Sequence, residues 1–326
     1  MQSQPSTQTD KKTPLISFII TCYNLPMDMV RECIDSVLAL SLSRSEKEII
    51  IVDDGSQQCP MPELMAYCDD IIYLRQPNRG LSAARNIGLD IATGKYIQFI
   101  DGDDKIVSNI YEQCLDLARF KDPDMVLFDY TDTDSAKPKI KNLDAVDGTV
   151  FMNNNNIHAS AWGYLFRKDI LMGLKFSPGI LHEDEEFTPQ LLLRAEKVYD
   201  TDYKAYFYRK RTGSITTKKD KKHILKRLND FEQIIKHLHD ISTTLPMAES
   251  TALQRRVAQL TMDYIYNIIK MTKSQSQLET RLMRLQKVGL YPLPDRDYSQ
   301  KYIWFRKLAN SKTGLYILRH TLTLVK

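Results

Sequence analysis

The run Gly94-Lys95-Tyr96-Ile97-Gln98-Phe99-Ile100-Asp101-Gly102-Asp103-Asp104 decides how the rest of the chain is read. Tyr96 to Ile100 is a short, mostly apolar stretch of the kind that forms a buried strand. It runs directly into three carboxylates within four residues. Charges that close repel one another unless a cation, or the donors of a ligand, lie between them. A hard divalent ion, Mg²⁺ or Mn²⁺, held by one or two carboxylates and by ligand phosphates, meets that need. In an open α/β sheet, ligands bind at the carboxyl ends of strands, where this cluster falls. The plain alternative is an acidic turn, since Asp and Gly are ordinary turn residues.

On either side the pattern alternates. Leu15 to Ile20 is a nearly continuous apolar run, as in a strand covered on both faces, and it ends in Thr21-Cys22-Tyr23-Asn24. Asp28 is placed to cap a helix with Val30, Ile34, Val37 and Leu38 on one face. Glu48 to Val52 reads as a strand closed by Asp53-Asp54-Gly55-Ser56, Met61 to Cys68 as a helix and Ile71 to Leu74 as a strand. Leu81 to Ala92 is helical, with Gly94 as its C-cap. Met125 to Tyr130 is a further strand, so the chain through Tyr130 is expected to form a parallel α/β sheet. Between Thr131 and Ser160 the residues turn polar and are expected to be loops and short edge strands. Trp162 to Phe166 and Ala205 to Tyr208 read as strands, and Lys168 to Gly173 as a helical turn. The acidic block Leu181 to Glu186 leads into a helix over Phe187 to Ala195, where Pro189 is tolerable only in the first turn. Beyond Asp220, helical periodicity covers His223 to Leu238, Ala248 to Met271 and Gln277 to Val288.

Composition narrows the classes. The 326 residues, 43% hydrophobic and 26% charged, are ordinary for a globular protein. A net charge of +4 makes no case for nucleic acid. The five cysteines form no CxxC pair, which predicts reduced thiols and a cytoplasmic protein. The polar lead-in 1–13 reads as disordered rather than as a signal peptide. No run of 18 apolar residues predicts a membrane span.

Two strand ends carry acids, Asp53-Asp54 and Asp101-Gly102-Asp103-Asp104, and in a doubly wound sheet such ends converge. A nucleotide suits that crevice: carboxylates accept from base and ribose, a metal neutralises the diphosphate, and Tyr23 stacks on the base. Arg79 and Arg85 either supply positive charge there or pair with surface carboxylates. Rival motifs fail. There is no G-x-G-x-x-G and no Walker lysine. Ile106 stands where an EF-hand needs glycine, and Glu186 where a zincin needs its second histidine.

Four segments together resemble family 2 glycosyltransferases of the GT-A fold. They are Pro14 to Asn24, Ile51 to Ser56, Asn78 to Gly88 and Gly94 to Asp104, in the family's order and spacing. The resemblance covers residues 14–215. It implies an α/β fold with a mostly parallel sheet, helices on both faces and a helical C-terminal extension. The implied division is 14–130 as nucleotide-sugar half, 131–217 as acceptor half and 218–326 as helical region. It implies a nucleotide-sugar donor, most often a UDP-sugar, and a saccharide or lipid-linked saccharide acceptor in surface or capsular polysaccharide synthesis. Thr21, Tyr23 and Asn24 would line the nucleotide pocket, and Asp54, with Asp53 beside it, would bind uracil. Arg85 would lie near the donor or form a helix-packing salt bridge. Asp101-Gly102-Asp103 matches the family's DXD motif, with Asp101 on ribose and Asp103 on Mn²⁺ or Mg²⁺. Glu183-Asp184 matches the acceptor-side acid pair, and an inverting displacement needs a base there. Asp184 is the first choice and Glu183 the second, while Glu185 and Glu186 read as acids favoured at a helix N-terminus. Trp162 is a candidate acceptor platform or a core aromatic. Arg209 or Arg211, in a loop running to Ile215, would neutralise the leaving diphosphate or belong to a solvated basic loop.

Two other readings stay open on the residues alone: a sugar-phosphate nucleotidyltransferase, and an inactive fold kept for binding. After Asp297 no acid occurs, whereas Lys301, Arg306, Lys307, Lys312, Arg319 and Lys326 are basic. Aromatic and aliphatic residues lie between them, with Gly314 expected to break the segment. That pattern suits either peripheral contact with an anionic membrane or packing on the domain itself.

Overall fold

The computed structural model describes residues 13–133, 144–211 and 220–324. Apart from Thr13, the expected disordered lead-in lies outside them, as does the loop after Arg211. The described residues within Met1–Ile140, Tyr164–Asp169 and Thr201–Tyr208 form one compact unit. Those within Lys141–Gly163, Ile170–Asp200 and Arg209–Lys326 form a second. Much of the segment 131–217 therefore groups with the helices of 218–326 rather than with the sheet.

The first unit holds β1 (Ile16–Cys22), α1 (Met27–Leu38), β2 (Lys47–Asp53), α2 (Met61–Leu64) and β3 (Ile71–Arg75). After them come α3 (Leu81–Ile91), β4 (Tyr96–Asp101), β5 (Lys105–Ile106), α4 (Ser108–Phe120) and β6 (Met125–Thr131). Among the described residues the sheet has eight strands, completed by β7 (Tyr164–Arg167) and β8 (Val198–Phe207), in the order β3-β2-β1-β4-β7-β6-β8-β5. β1 runs parallel to β2 and β4, and β2 to β3. β1 is buried along its whole length, which explains its continuous apolar run. The register sets Cys22 opposite Asp53 and Thr21 opposite Asp101. This is the step that gathers the acidic strand ends.

The second half of the sheet is antiparallel: β7 pairs in that sense with β4 and β6, and β5 with β8. β6 keeps the direction of β1 and β4, as expected, but joins them only through β7, which runs against both. A buried apolar run looks alike in either direction, so the periodicity of β7 does not show that it is the reversed strand.

Other local expectations change as well. Asp28 sits inside the first turn of α1, with Pro26 at the cap position. Ala92, in extended backbone, closes α3, so Gly94 is no left-handed cap. It is glycine because a Cβ there would lie 2.6 Å from the Ser17 nitrogen on β1. The polar stretch after Thr131 contains α5 (Gly148–Asn154), started by Asp147, whose carboxylate accepts from Thr149 and Val150 N–H at 2.9 and 3.1 Å.

The second unit adds α6 (Glu183–Leu192), α7 (Lys221–Thr244), α8 (Met247–Thr272), α9 (Gln275–Lys287), α10 (Gln300–Ala309) and α11 (Lys312–Leu324). α8 is its centre and packs on α5, α7, α9, α10 and α11. Leu253, Val257, Leu260, Tyr264 and Ile268 follow the helical period and are buried. Pro189 lies well inside α6 rather than in its first turn, so the Glu185 carbonyl lacks its usual helical donor.

Candidate active site

In the first unit the residues at the carboxyl ends of β1, β2 and β4 are held by one another. Asp53 is fully buried, and its carboxylate accepts from the Ser56 N–H (2.9 Å) and the Tyr73 hydroxyl (3.1 Å). Arg75 Nε lies 3.2 Å away and its Nη2 donates to the Ser56 carbonyl. Asp53 therefore shapes the turn after β2 and does not present its carboxylate to a ligand. Asp54 is 5% exposed and accepts from Gln76 Nε2 (2.6 Å), Arg79 N–H (2.9 Å) and Gly80 N–H (2.8 Å). A carboxylate has about four acceptor positions, so one remains beyond these three. Asn24, in left-handed backbone, accepts the Gln57 N–H at 2.8 Å, and its own N–H donates to Ser56 Oγ at 2.9 Å. Its side chain clamps the two strand-end loops together. Thr21 is buried, while Tyr23 is 47% exposed and offers a ring face.

The turn after β4 is built as tightly. A Cβ on Gly102 would lie 2.8 Å from the Thr21 carbonyl, so only glycine lets the turn close against β1. Asp104 is buried and accepts from the Tyr206 hydroxyl at 2.9 Å. That same hydroxyl accepts the Asp101 N–H at 3.1 Å. Burial, with Asp104 and Asp101 beside it, pushes the Tyr206 phenol far above its usual range, so it stays a donor. Buried Arg85 places Nη2 3.1 Å from Asp101 Oδ1, with its guanidinium 5.8 Å from the centre of the Phe99 ring. Asp101 and Asp103, by contrast, are half-buried at the rim. Burial, then Asp53 and Asp54, raise the Cys22 thiol to about 12, which removes it as a nucleophile.

Among the described residues no group of three or more His, Cys, Asp or Glu side chains is arranged to hold a metal. Magnesium-type ions need only one or two carboxylates when substrate phosphates complete the shell. Asp101 and Asp103, half-buried at the rim, are the carboxylates that could meet that condition, while Asp104 is buried against Tyr206.

In the second unit α6 starts after His182, whose backbone is left-handed. Four carboxylates, Glu183 to Glu186, occupy the first turn, where the helix dipole favours them. Glu185 pairs with Arg256 of α8, and Glu186 lies 3.6 Å from His237 of α7. Those two acids join helices, in line with their reading as structural. Glu183 is 9% exposed; Asp184 is more open and accepts the Glu185 N–H at 3.0 Å. His182 stacks on Phe231 with ring centres 5.0 Å apart, and Arg227 Nε approaches its Nε2 at 3.5 Å. Burial, then Arg227, lower His182 to about 4, so it is neutral at pH 7. Trp162 is 8% exposed and lies against His158, which makes it a core ring with little face for a sugar. Arg209 and Arg211 are half-buried at the end of the described segment.

Sequence reasoning missed Tyr73, Arg75, Gln76 and Tyr206. Their signal is only that buried polar groups need partners, and these four satisfy Asp53, Asp54, Asp101 and Asp104.

The family model "Glycosyl transferase family 2" matches residues 17–172, which contain the nucleotide-side residues from Thr21 to Asp104. Just under half of the chain is thus similar to glycosyl transferase family 2. Glycosyltransferase GlyA of Streptococcus pneumoniae serotype 4 is 30% identical over 220 residues, 62% of this chain and 31% of GlyA. The uncharacterized glycosyltransferase EpsJ of Bacillus subtilis is 32% identical over 220 residues, 62% of the chain and 63% of EpsJ. The chain thus spans less than two thirds of either relative. The crystal structure of S. aureus TarS 1–349 in complex with UDP-GlcNAc aligns with a TM-score of 0.66 at 16% identity, covering 95% of this chain and 90% of that one. This likeness establishes the GT-A fold, with its mixed sheet and following helices.

Proposed function

We propose that this protein is an inverting, metal-dependent glycosyltransferase. It moves a sugar from a nucleotide-sugar donor, a UDP-sugar by preference, to a hydroxyl of a saccharide or lipid-linked saccharide. The observation that carries the reading is the pair Asp101 and Asp103, half-buried at the end of β4 beside the β1 and β2 ends, inside the matched family segment. Surface or capsular polysaccharide synthesis, in the cytoplasm at the membrane face, is the proposed setting.

Tyr23 stacks on the base, and Asp54 offers its remaining acceptor position to a base N–H. Asp101, already balanced by Arg85, accepts from ribose, while Asp103 holds Mn²⁺ or Mg²⁺. Asp103 would hold that ion, which when bound would supply charge neutralisation at the diphosphate, worth several kcal/mol in the transition state. Arg209 or Arg211 adds charge to the leaving group. Asp184 takes the proton of the attacking acceptor hydroxyl as the new bond forms at the anomeric carbon and the bond to the diphosphate breaks. Its greater openness, compared with nearly buried Glu183, favours it as the base.

The test has two parts. An α-linked UDP-sugar yields a β-glycoside, read from the product's anomeric proton by NMR; an α-product overturns inversion. Asp184→Asn leaves UDP affinity close to wild type and lowers kcat by about 10²–10⁴-fold, because a base acts only in the transition state. Full transfer by this variant, with loss in Glu183→Gln instead, moves the role to Glu183.

A further inference from the structure

α10 and α11 carry a surface that the transferase chemistry does not use. Their packing on α8 and on each other consumes part of the C-terminal pattern. Ala309 and Leu318 are buried, and the Tyr302 hydroxyl donates to Asp263 at 2.9 Å. Arg306 pairs with Asp295 at 2.6 Å, and a side chain on Gly314 would strike the Leu308 carbonyl. Gly314 thus lets the two helices approach instead of breaking the segment, and the turn falls at Asn310-Ser311.

What remains outward is selective. Trp304 is 64% exposed, Tyr316 61% and Ile317 44%. Along α10, exposed Lys301, Trp304 and Lys307 recur every three residues and so share one face. Lys307 Nζ sits 5.5 Å from the centre of the Trp304 ring. Along α11, exposed Lys312, Tyr316 and His320 recur every four, with Ile317 beside them. No acid follows Asp297 in the sequence. Single exposed apolar residues are ordinary, but large ones flanked by lysines, with no acid among them, are not. Trp and Tyr rings suit the boundary between water and acyl chains, and lysines beside them reach the headgroups. A second copy is the poorer occupant, because pairing these faces would bring Lys301 and Lys307 against their own kind.

We propose that the outward faces of α10 and α11 dock the protein on an anionic lipid surface, lying on it without crossing. No helix among the described residues is long and apolar enough to cross a membrane. The proposal stands on this surface alone and does not require the donor or base assignments.

The test is co-sedimentation of the full chain with phosphatidylcholine vesicles, with and without phosphatidylglycerol, across a salt series. Binding is expected only to the anionic vesicles, and it weakens as salt rises. Lys301→Ala with Lys307→Ala lowers partitioning on the order of 10- to 30-fold, the weight of two basic residues near an anionic leaflet. Trp304→Ala with Tyr316→Ala also lowers it, and because all four side chains are exposed, circular dichroism and the thermal midpoint stay at wild type. No binding by the wild type, equal binding to neutral vesicles, or indifference to both double variants overturns the proposal. So does a concentration-dependent dimer, lost in Trp304→Ala, in place of vesicle binding. Release of UDP with a water-soluble acceptor is measured in the same variants and stays unchanged, so failure of the enzymatic reading shows separately from failure of this one.

Discussion

Asp103 and Tyr206 do opposite work at the same turn. Asp103 lies half-buried at the rim, and its replacement by Ala removes a carboxylate there. Under the proposed chemistry it nearly abolishes Mn²⁺-dependent UDP release, and undiminished release in excess EDTA would refute the metal assignment. Tyr206 reaches the turn from β8 with one hydroxyl that serves both the Asp101 N–H and the Asp104 carboxylate. Tyr206→Phe removes a donor from a buried charge and an acceptor from a backbone N–H. A loss of about 1–3 kcal/mol in urea unfolding follows, with a fall in turnover as the turn loosens. An unchanged unfolding midpoint would show that the hydroxyl is dispensable. Asp53 teaches the same distinction: it looks like a ligand contact in the sequence, yet its carboxylate is enclosed by Ser56, Tyr73 and Arg75.

At the scale of the element, α6 is the informative case. Its start is set by His182, left-handed and kept neutral by burial and by Arg227. The folded value, about 4, is below the ordinary 6.5, so the folded state binds fewer protons than the unfolded chain between those limits. The stability contributed by neutral His182 is complete above pH 6.5 and is lost as pH falls towards 4. The loss reaches at most about 3 kcal/mol. Urea unfolding at pH 7 and at pH 5 measures it. His182→Asn, which tolerates left-handed backbone, should flatten that dependence. A variant with the same pH slope as wild type would place the titration elsewhere. α5 shows how an element escapes notice: a seven-residue helix in a polar run has almost no periodicity, and its one signal is the Asp147 cap.

For the whole molecule, ligand linkage gives the broadest check. UDP with Mn²⁺ binds only the folded sheet unit under the proposed reading, and at one hundred times its Kd it adds about 2.7 kcal/mol. The thermal transition is expected to rise with UDP and Mn²⁺ together. In Asp103→Ala the Mn²⁺-dependent part of that rise disappears; a rise that persists there would mean that the ion binds elsewhere. Such a measurement needs no acceptor and so is independent of the base.

The sequence by itself determined the α/β class, the strands β1, β2 and β4, the acids at their ends and the long helices after Asp220. Each of these is local: a buried strand needs an apolar run, a helix needs its period, and a tight turn at a strand end favours aspartate and glycine. Only the tertiary structure decided that β6 and β7 run antiparallel, that Trp162 is buried, and that Glu185 and Glu186 are spent on Arg256 and His237. It also decided which C-terminal aromatics face outward. These are choices of partner between residues far apart in the chain, 105 positions in the case of Asp101 and Tyr206. A residue's type limits the partners it can take, but only the packed chain brings one of them within hydrogen-bond reach.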